Sequence, residues 1–124
     1  MQATPLHFMT ISQVASLIRS KQPSSVELTE ALLYRIKALD GQLLSYATVM
    51  ADQAMASARA AESATSSGGY LGPLHGVPIA VKDLCFTTGV ATMGGTKALR
   101  EHVPSFDATV VKKLEAAGAV YWAN

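Results

Sequence analysis

The stretch Gly72-Pro73-Leu74-His75-Gly76-Val77-Pro78-Ile79-Ala80-Val81-Lys82-Asp83-Leu84 decides how this chain folds. Its centre, Val77 to Val81, is a short apolar run that predicts a strand, with Pro78 near the beginning, where a missing N–H group is tolerated. A glycine- and proline-rich segment leads into the run, and Lys82 follows it directly. Ligands of α/β sheets bind beyond the carboxyl ends of strands, so Lys82 is the first candidate for a functional side chain.

A lysine acts as a base only when it is neutral, and the pKa of lysine in water is about 10.4. Apolar surroundings disfavour the ammonium form, and the run Val77 to Val81 can supply such surroundings. Neighbours along an extended chain point to opposite sides, so Asp83 is predicted to face away from Lys82 and to hold a loop. Most lysines that end a strand are solvated, so the pattern alone leaves a catalytic and a surface role open.

Two capping boxes predict helices before this stretch. Thr10 to Gln13 begins the first helix, and Ser24 to Glu27 begins a longer one that Asp40-Gly41 ends. The predicted apolar faces are Ile11, Val14, Ala15 and Ile18 in the first helix and Leu28, Leu32, Ile36 and Leu39 in the second. The charged residues Glu30, Arg35 and Lys37 lie off the second stripe and are predicted to face water.

The remaining elements lie on both sides of the lysine stretch. Residues 46–50 form a short strand or an extended link, and the alanine-rich segment 51–64 predicts a third helix suited to packing on a flat surface. Residues 65–69 are a flexible connection, and 87–96 are a glycine- and threonine-rich loop. A fourth helix, capped by Asp107 or Ser105 and ended by Gly118, leads into a second strand over 119–123. Its predicted apolar face is Val110, Val111, Leu114 and Ala117.

This order of strand, loop, helix and strand predicts an α/β fold with a right-handed crossover. Residues 1–124 are interpreted as the N-terminal part of a single domain. It comprises a helical part (1–64), a linker (65–71) and a segment (72–124) that carries the lysine strand and the helix and strand after it. A sheet of so few strands is unfinished, so the natural domain is expected to continue.

Charge and composition exclude several classes of function. Ten Lys plus Arg balance nine Asp plus Glu, which gives no support for nucleic acid or a membrane surface as a partner. Charged residues make up 15%, against about 25% in a typical domain, so some apolar surface is expected to be covered by a partner or by more chain. Cys85 is the only cysteine, and no signal peptide or membrane span is recognisable, so a cytoplasmic location is expected.

The string GPLHGVPIAVKD, unbroken from Gly72 to Asp83, resembles the lysine-bearing segment of the amidase signature family of hydrolases. Two further parts resemble the same family and extend the similarity over nearly the whole chain. They are Ser24-Ser25-Val26-Glu27-Leu28-Thr29 with Tyr34-Arg35-Ile36, and Asp107-Ala108-Thr109-Val110-Val111 with Leu114 and Ala117-Gly118-Ala119-Val120. The resemblance implies an incomplete amidase-signature fold, in which N-terminal helices precede the start of a mixed sheet covered by helices.

The resemblance also implies an amide hydrolase with a Ser–cis-Ser–Lys triad, in which Lys82 is the catalytic base. The two serines of such a triad lie in a Gly/Ser-rich segment that is expected beyond Asn124. Ser66 and Ser67 lie in a linker before the lysine, and Ser105 is better explained as a helix cap. The 124-residue chain is therefore predicted to be inactive alone.

Two segments depart from the family pattern. Gly95-Thr96 stands where the family often has a Gly-Ser pair, and Tyr121-Trp122-Ala123-Asn124 stands where it usually continues toward Gly-Lys-Thr-Asn. Tyr121 and Trp122 are predicted to pack on the sheet.

Other candidates have simpler explanations than catalysis. His75 is predicted to make a structural hydrogen bond rather than to contact substrate, and Cys85 to be a small buried side chain. His7 and His102 have no partners at ligand spacing, so neither a metal nor a cofactor is predicted.

Two other functions remain open. One is that of the glutamyl-tRNA amidotransferase subunit that shares this signature, and the other is a non-catalytic scaffold or binding protein that retains the front half of the fold. The expected partners are a small-molecule amide and either a second copy of the chain or the remainder of the same polypeptide.

Overall fold

The computed structural model describes residues 4–123 of the chain. Four α-helices and two strands, joined by loops, lie within this part. The helices are α1 (Ile11–Ser20), α2 (Ser25–Leu43), α3 (Ala51–Ser66) and α4 (Thr109–Ala116), and the strands are β1 (Pro78–Ala80) and β2 (Val120–Ala123). Short 3₁₀ turns occupy Leu6–Phe8 and Lys97–Leu99. This arrangement confirms the predicted α/β class. Asn124, the last residue of the second segment that departs from the family pattern, lies outside the described residues.

Both predicted capping boxes are present. The N–H group of Gln13 donates to the Thr10 hydroxyl, and the Thr10 N–H group donates back to the Gln13 side chain at 2.8 Å. Ser24 and Glu27 make the same reciprocal pair at the start of α2. These bonds satisfy N–H groups that a helix start leaves free, so each helix begins where the sequence indicates.

The predicted end of α2 at Asp40-Gly41 is wrong, because the helix continues to Leu43. It ends when Leu44 adopts a left-handed conformation with φ of 51°. Asp40 fixes this turn, since its carbonyl accepts from the Leu44 N–H at 2.8 Å and its Oδ1 accepts from the Ser45 N–H at 2.7 Å. A left-handed conformation costs an ordinary L-residue about 1–2 kcal/mol, so the turn carries local strain.

The two strands pair in parallel, with Pro78 opposite Val120 and Ile79 opposite Tyr121, before an irregularity shifts the register. The alanine face of α3 packs on β2, where Ala54 and Ala58 form a buried cluster with Val120 and Trp122. This contact confirms that the small side chains of α3 allow close packing against a flat surface. The preceding link touches the same strand, because the Met50 N–H donates to the Trp122 carbonyl.

A second cluster joins the N-terminal helices to the start of β1. It contains Val14, Ala15 and Ile18 of α1 together with Leu28 and Val77. Three residues predicted to lie on apolar helix faces are instead exposed: Ile11, Leu39 and Val110. Ile11 and Val110 are the first residues of their predicted stripes and Leu39 is the last of its stripe, and the described chain supplies no covering element there. Glu30, Arg35 and Lys37 face water as predicted.

The predicted cap of α4 is also wrong. Ala108 occupies the N-cap position without a side-chain hydrogen bond. Asp107 instead accepts the Thr88 N–H at 2.6 Å, so its carboxylate holds a distant loop rather than the helix start. The helix does end before Gly118, which has φ of 77° and leads into β2 as predicted.

Candidate functional site

The segment before β1, residues 72–77, is fixed to three parts of the fold and is called the entry loop here. The buried Ser25 hydroxyl of α2 donates to the Gly76 carbonyl at 2.7 Å. The Gly76 N–H donates to the Gly118 carbonyl at 2.8 Å, and the Val77 carbonyl accepts from the Val120 N–H at 2.9 Å. The entry loop is therefore held by α2 and by the turn into β2 before the chain reaches Lys82.

His75 provides the third attachment of the entry loop. Its ring is 2% exposed, and its Nε2 lies 2.9 Å from the Ala61 carbonyl, so Nε2 carries the proton and donates to α3. The same ring packs edge-on against Tyr70. A Cβ atom on Gly118 would lie 2.5 Å from Nδ1 of His75, so only glycine leaves room for the ring. These contacts support the predicted structural role of His75.

Lys82 follows the carboxyl end of β1 and lines an open cavity of about 620 Å³. We call this the lysine cavity; its wall consists of residues 44–47, 80–84 and 93–95. The Lys82 carbonyl accepts from the N–H groups of Leu84 at 2.7 Å and Cys85 at 2.9 Å, which fixes the backbone at this point. The structure thus delivers Lys82 to the edge of the sheet where ligands of α/β proteins bind.

The predicted apolar surroundings of Lys82 are not found among the described residues. Val77 and Val81 are buried, whereas Lys82 is exposed. The reason is the alternation of an extended chain, which turns Val81 toward the core and Lys82 toward the cavity. Cys85 is half-buried rather than fully buried, and its thiol is free.

Asp83 shapes the wall of the lysine cavity beside Lys82. Its Oδ1 accepts from the Met93 N–H at 2.8 Å, and its carbonyl accepts from the Gly94 N–H at 2.7 Å. Gly94 and Gly95 both have positive φ, so the chain can turn sharply against Asp83. This arrangement confirms that Asp83 holds a loop, whereas the prediction that it faces away from Lys82 is wrong, because both residues line the lysine cavity.

Hydrogen bonds hold the glycine- and threonine-rich loop after Lys82 at several points. The Thr92 N–H donates to the His102 carbonyl at 2.9 Å, and the Gly89 N–H donates to the Pro104 carbonyl at 3.1 Å. Thr87 and Thr92 are buried, and their hydroxyls donate to nearby carbonyls. These hydrogen bonds fix the conformation of the loop that leads to residues 93–95 in the wall of the lysine cavity.

Sequence reasoning missed the other wall of the lysine cavity, which is the turn Leu44 to Ala47 between α2 and α3. Nothing in the local sequence connects this turn with Lys82, because the two meet only in the folded chain, where α2 and Tyr46 pack against the sheet. Ser45 is the serine along this wall. No hydrogen bond joins Ser45 to Lys82 in the described part of the chain, so the wall does not by itself supply an activated nucleophile.

The fold alters the protonation of Tyr121. Burial raises the pKa of the Tyr121 phenol, and the charges of Glu115 and Asp107 raise it further, whereas a hydrogen bond from Gln53 at 3.3 Å lowers it. The folded state therefore holds this proton more tightly than the unfolded chain does. Its contribution to stability is present below the unfolded pKa and is lost as pH rises through the folded pKa.

Two kinds of feature are absent from residues 4–123. No helix there is long and apolar enough to cross a membrane. No group of three or more His, Cys, Asp or Glu side chains is placed to hold a metal ion.

Known proteins resemble this chain over nearly its whole length. The putative amidase AmiD of Mycobacterium tuberculosis is 53% identical over 112 residues, which are 90% of this chain and 24% of that protein. A glutamyl-tRNA(Gln) amidotransferase subunit of Moorella thermoacetica is 44% identical over 115 residues, 93% of this chain and 24% of that protein.

The fold of the chain is also similar to that of a solved structure. The peptide amidase of Stenotrophomonas maltophilia superimposes with a TM-score of 0.83 at 31% identity, over 97% of this chain and 25% of that one. This chain therefore spans about a quarter of the length of the relatives it matches. The family model described as Amidase matches residues 27–124, a segment that contains most of α2, the entry loop and Lys82. With most of its length matched in this way, the chain belongs to the amidase signature family.

Proposed function

We propose that this protein takes part in the hydrolysis of carboxamides, with Lys82 as the catalytic base. The observation that carries the proposal is the position of Lys82, which is exposed in a cavity at the carboxyl end of β1. The identity of the family supports amide hydrolysis as the reaction. A cavity of about 620 Å³ is within the range of pockets that hold small molecules.

The proposed reaction uses Lys82 as a proton acceptor. The neutral amine of Lys82 takes a proton from one serine hydroxyl, and that serine takes the proton of a second serine whose Oγ attacks the amide carbon. The C–N bond then breaks, and the nitrogen leaves with a proton as ammonia or an amine. Water releases the acid from the acyl-enzyme. Both serines are expected to come from chain that follows the described residues.

The substrate is proposed to be a small molecule, and the protein to act in the cytoplasm. A nearly balanced charge gives no support for direct binding of nucleic acid, and a single free cysteine suits a reducing compartment. The exposed apolar residues of α2 and α4 favour cover by the remainder of the polypeptide or by a second copy of the chain.

The proposal is tested in a completed chain. Residues 1–124 are joined to the part of the Mycobacterium tuberculosis putative amidase AmiD that follows the segment matching this chain, and ammonia release from simple carboxamides is measured. Lys82→Ala is expected to lower kcat by a factor of about 10²–10⁴, the usual contribution of a general base. The matched control is Lys97→Ala, which removes an exposed lysine outside the lysine cavity and should leave kcat within about twofold. Equal rates for the Lys82 and Lys97 variants would reject the role of Lys82.

A second candidate function is transfer of ammonia to a charged tRNA as part of a glutamyl-tRNA amidotransferase. It is favoured by the 44% identity to the glutamyl-tRNA(Gln) amidotransferase subunit of Moorella thermoacetica. The two functions differ in what receives the ammonia. An amidotransferase subunit is expected to assemble with partner subunits and to pass the ammonia on, whereas an amidase releases it without partners. A stable monomer that melts cooperatively and lacks both activities when completed would instead favour a scaffold.

A further inference from the structure

We propose that Leu44 is a specificity-determining residue of the lysine cavity, where its side chain contacts the apolar acyl group of a carboxamide. The proposal rests on the proposed function for the identity of the ligand. Its own evidence is the conformation and position of the turn after α2.

Three features of this turn are unfavourable for folding alone. Leu44 has a positive φ although it is not glycine, whereas Gly41, three residues earlier, lies inside the helix, where its freedom is unused. Asp40 places a carboxylate in the last turn of α2, where the helix dipole disfavours negative charge. The bonds from Leu44 and Ser45 to Asp40 nevertheless hold the turn in this form. Strain that the surrounding structure maintains is a reason to look for a function.

The strained conformation presents an apolar side chain at the lysine cavity. Leu44 is 80% exposed, so burial within the described chain does not explain it. The cavity wall around it combines the charged residues Lys82 and Asp83 with apolar surface from the residues Tyr46, Ala47, Leu84 and Met93. A ligand that suits this wall has a polar carboxamide to place at Lys82 and an apolar group to place against Leu44.

The test uses the 124-residue chain itself and two amide probes. Hexanamide and acetamide share the carboxamide and differ in the length of the acyl group. Backbone ¹H–¹⁵N shifts are followed during titration with each probe. Hexanamide is expected to shift the amides of residues 44–47 together with those of residues 80–84, and to bind at least about tenfold more tightly than acetamide. Complete burial of the longer acyl group would tighten binding by up to about fourfold for each added methylene.

Two variants of Leu44 distinguish the effect of its side chain on binding from the effect of its backbone strain on stability. Leu44→Ala and Leu44→Gly should both weaken hexanamide binding by about three- to tenfold and leave acetamide binding within about twofold. Leu44→Gly alone relieves the left-handed strain, and should raise the midpoint of thermal unfolding by about 2–5 °C. A residue with only a structural role would not lose affinity while gaining stability.

Leu43→Ala is the matched control, because Leu43 is also an exposed leucine but lines a different groove. It should leave the affinity for both probes unchanged. The proposal is overturned if hexanamide fails to shift residues 44–47, or if the Leu44 variants bind hexanamide as tightly relative to acetamide as the unsubstituted chain does.

The two proposals fail in different ways. A hexanamide preference that the Leu44 variants do not reduce, together with a catalytically essential Lys82 in the completed chain, would remove the role of Leu44 and keep the proposed function. Retained contact of hexanamide with Leu44, together with a dispensable Lys82, would do the reverse.

Discussion

Gly118 turns the chain from α4 into β2 with φ of 77°, and a Cβ atom there would lie 2.5 Å from Nδ1 of His75. The same glycine offers its carbonyl to the Gly76 N–H. The position therefore combines a conformation that favours glycine with a neighbour that excludes any side chain. His75 cannot move aside easily, because its Nε2 is bonded to α3.

Gly118→Ala is expected to lower the free energy of unfolding by about 2–4 kcal/mol, as the sum of left-handed strain and overpacking. Urea unfolding measures the change. Gly68→Ala is the matched control, since Gly68 has φ of 85° but no atom within 4 Å of the added Cβ. It should lose only the conformational part, about 1–2 kcal/mol. Equal losses for the two variants would show that the contact with His75 is unimportant.

Single residues differ in how well the sequence predicts them. Lys82 and His75 lie in one specific motif, so their places at a strand end and in a structural hydrogen bond could be predicted. Ser25 and Leu44 could not be connected with the site, because their contacts depend on tertiary packing. The Ser25 hydroxyl meets Gly76 across 51 positions of sequence.

In helix α2 the start could be predicted from the sequence and the end could not. Its start depends on Ser24 and Glu27, which are three residues apart and bond to each other. Its end was misplaced because Gly41 resembles a stop signal but lies within the helix, while Leu44 takes the left-handed position. The prediction that Asp107 caps α4 was wrong because its carboxylate accepts from the Thr88 N–H, 19 positions away, instead of from the helix start.

Gly41→Ala is expected to raise the stability of the chain by up to about 1 kcal/mol, because alanine is a better helix former than glycine. The new Cβ atom would meet no atom within 4 Å. Thermal unfolding followed by circular dichroism measures the effect. The reverse change one turn earlier, Ala38→Gly, lies on an exposed position of the same helix and should lose a similar amount. Destabilisation by Gly41→Ala would mean that α2 does not continue through this position in solution.

At the scale of the whole molecule, the sequence predicted the α/β class and the order of helices and strands. It did not predict the lysine cavity, because the cavity joins the turn 44–47 to residues 80–84 and 93–95, which lie much further along the chain. It also did not predict that Lys82 would be exposed. That outcome depends on how much of the fold covers the edge of the sheet, and this chain spans about a quarter of its relatives' length.

The 124-residue chain alone is expected to release no ammonia from hexanamide. Lys82 faces the cavity without a hydrogen bond to Ser45 within the described residues, so no activated serine is in place. Ammonia release above the rate of a heat-denatured sample, abolished by Lys82→Ala, would contradict this expectation. In that case Ser45→Ala would identify the nucleophile, with Ser67→Ala as an exposed serine outside the cavity for comparison.

The attachments of the entry loop have a consequence for the length of the chain between Gly76 and Lys82. Gly76 is anchored to α2 and to the turn before β2, so the number of residues that follow it sets where the lysine emerges. One inserted residue would reverse the alternation and turn the lysine toward the buried side that Val81 now occupies. Substitutions at exposed positions of this segment can be tolerated, but a change in its length by one residue cannot.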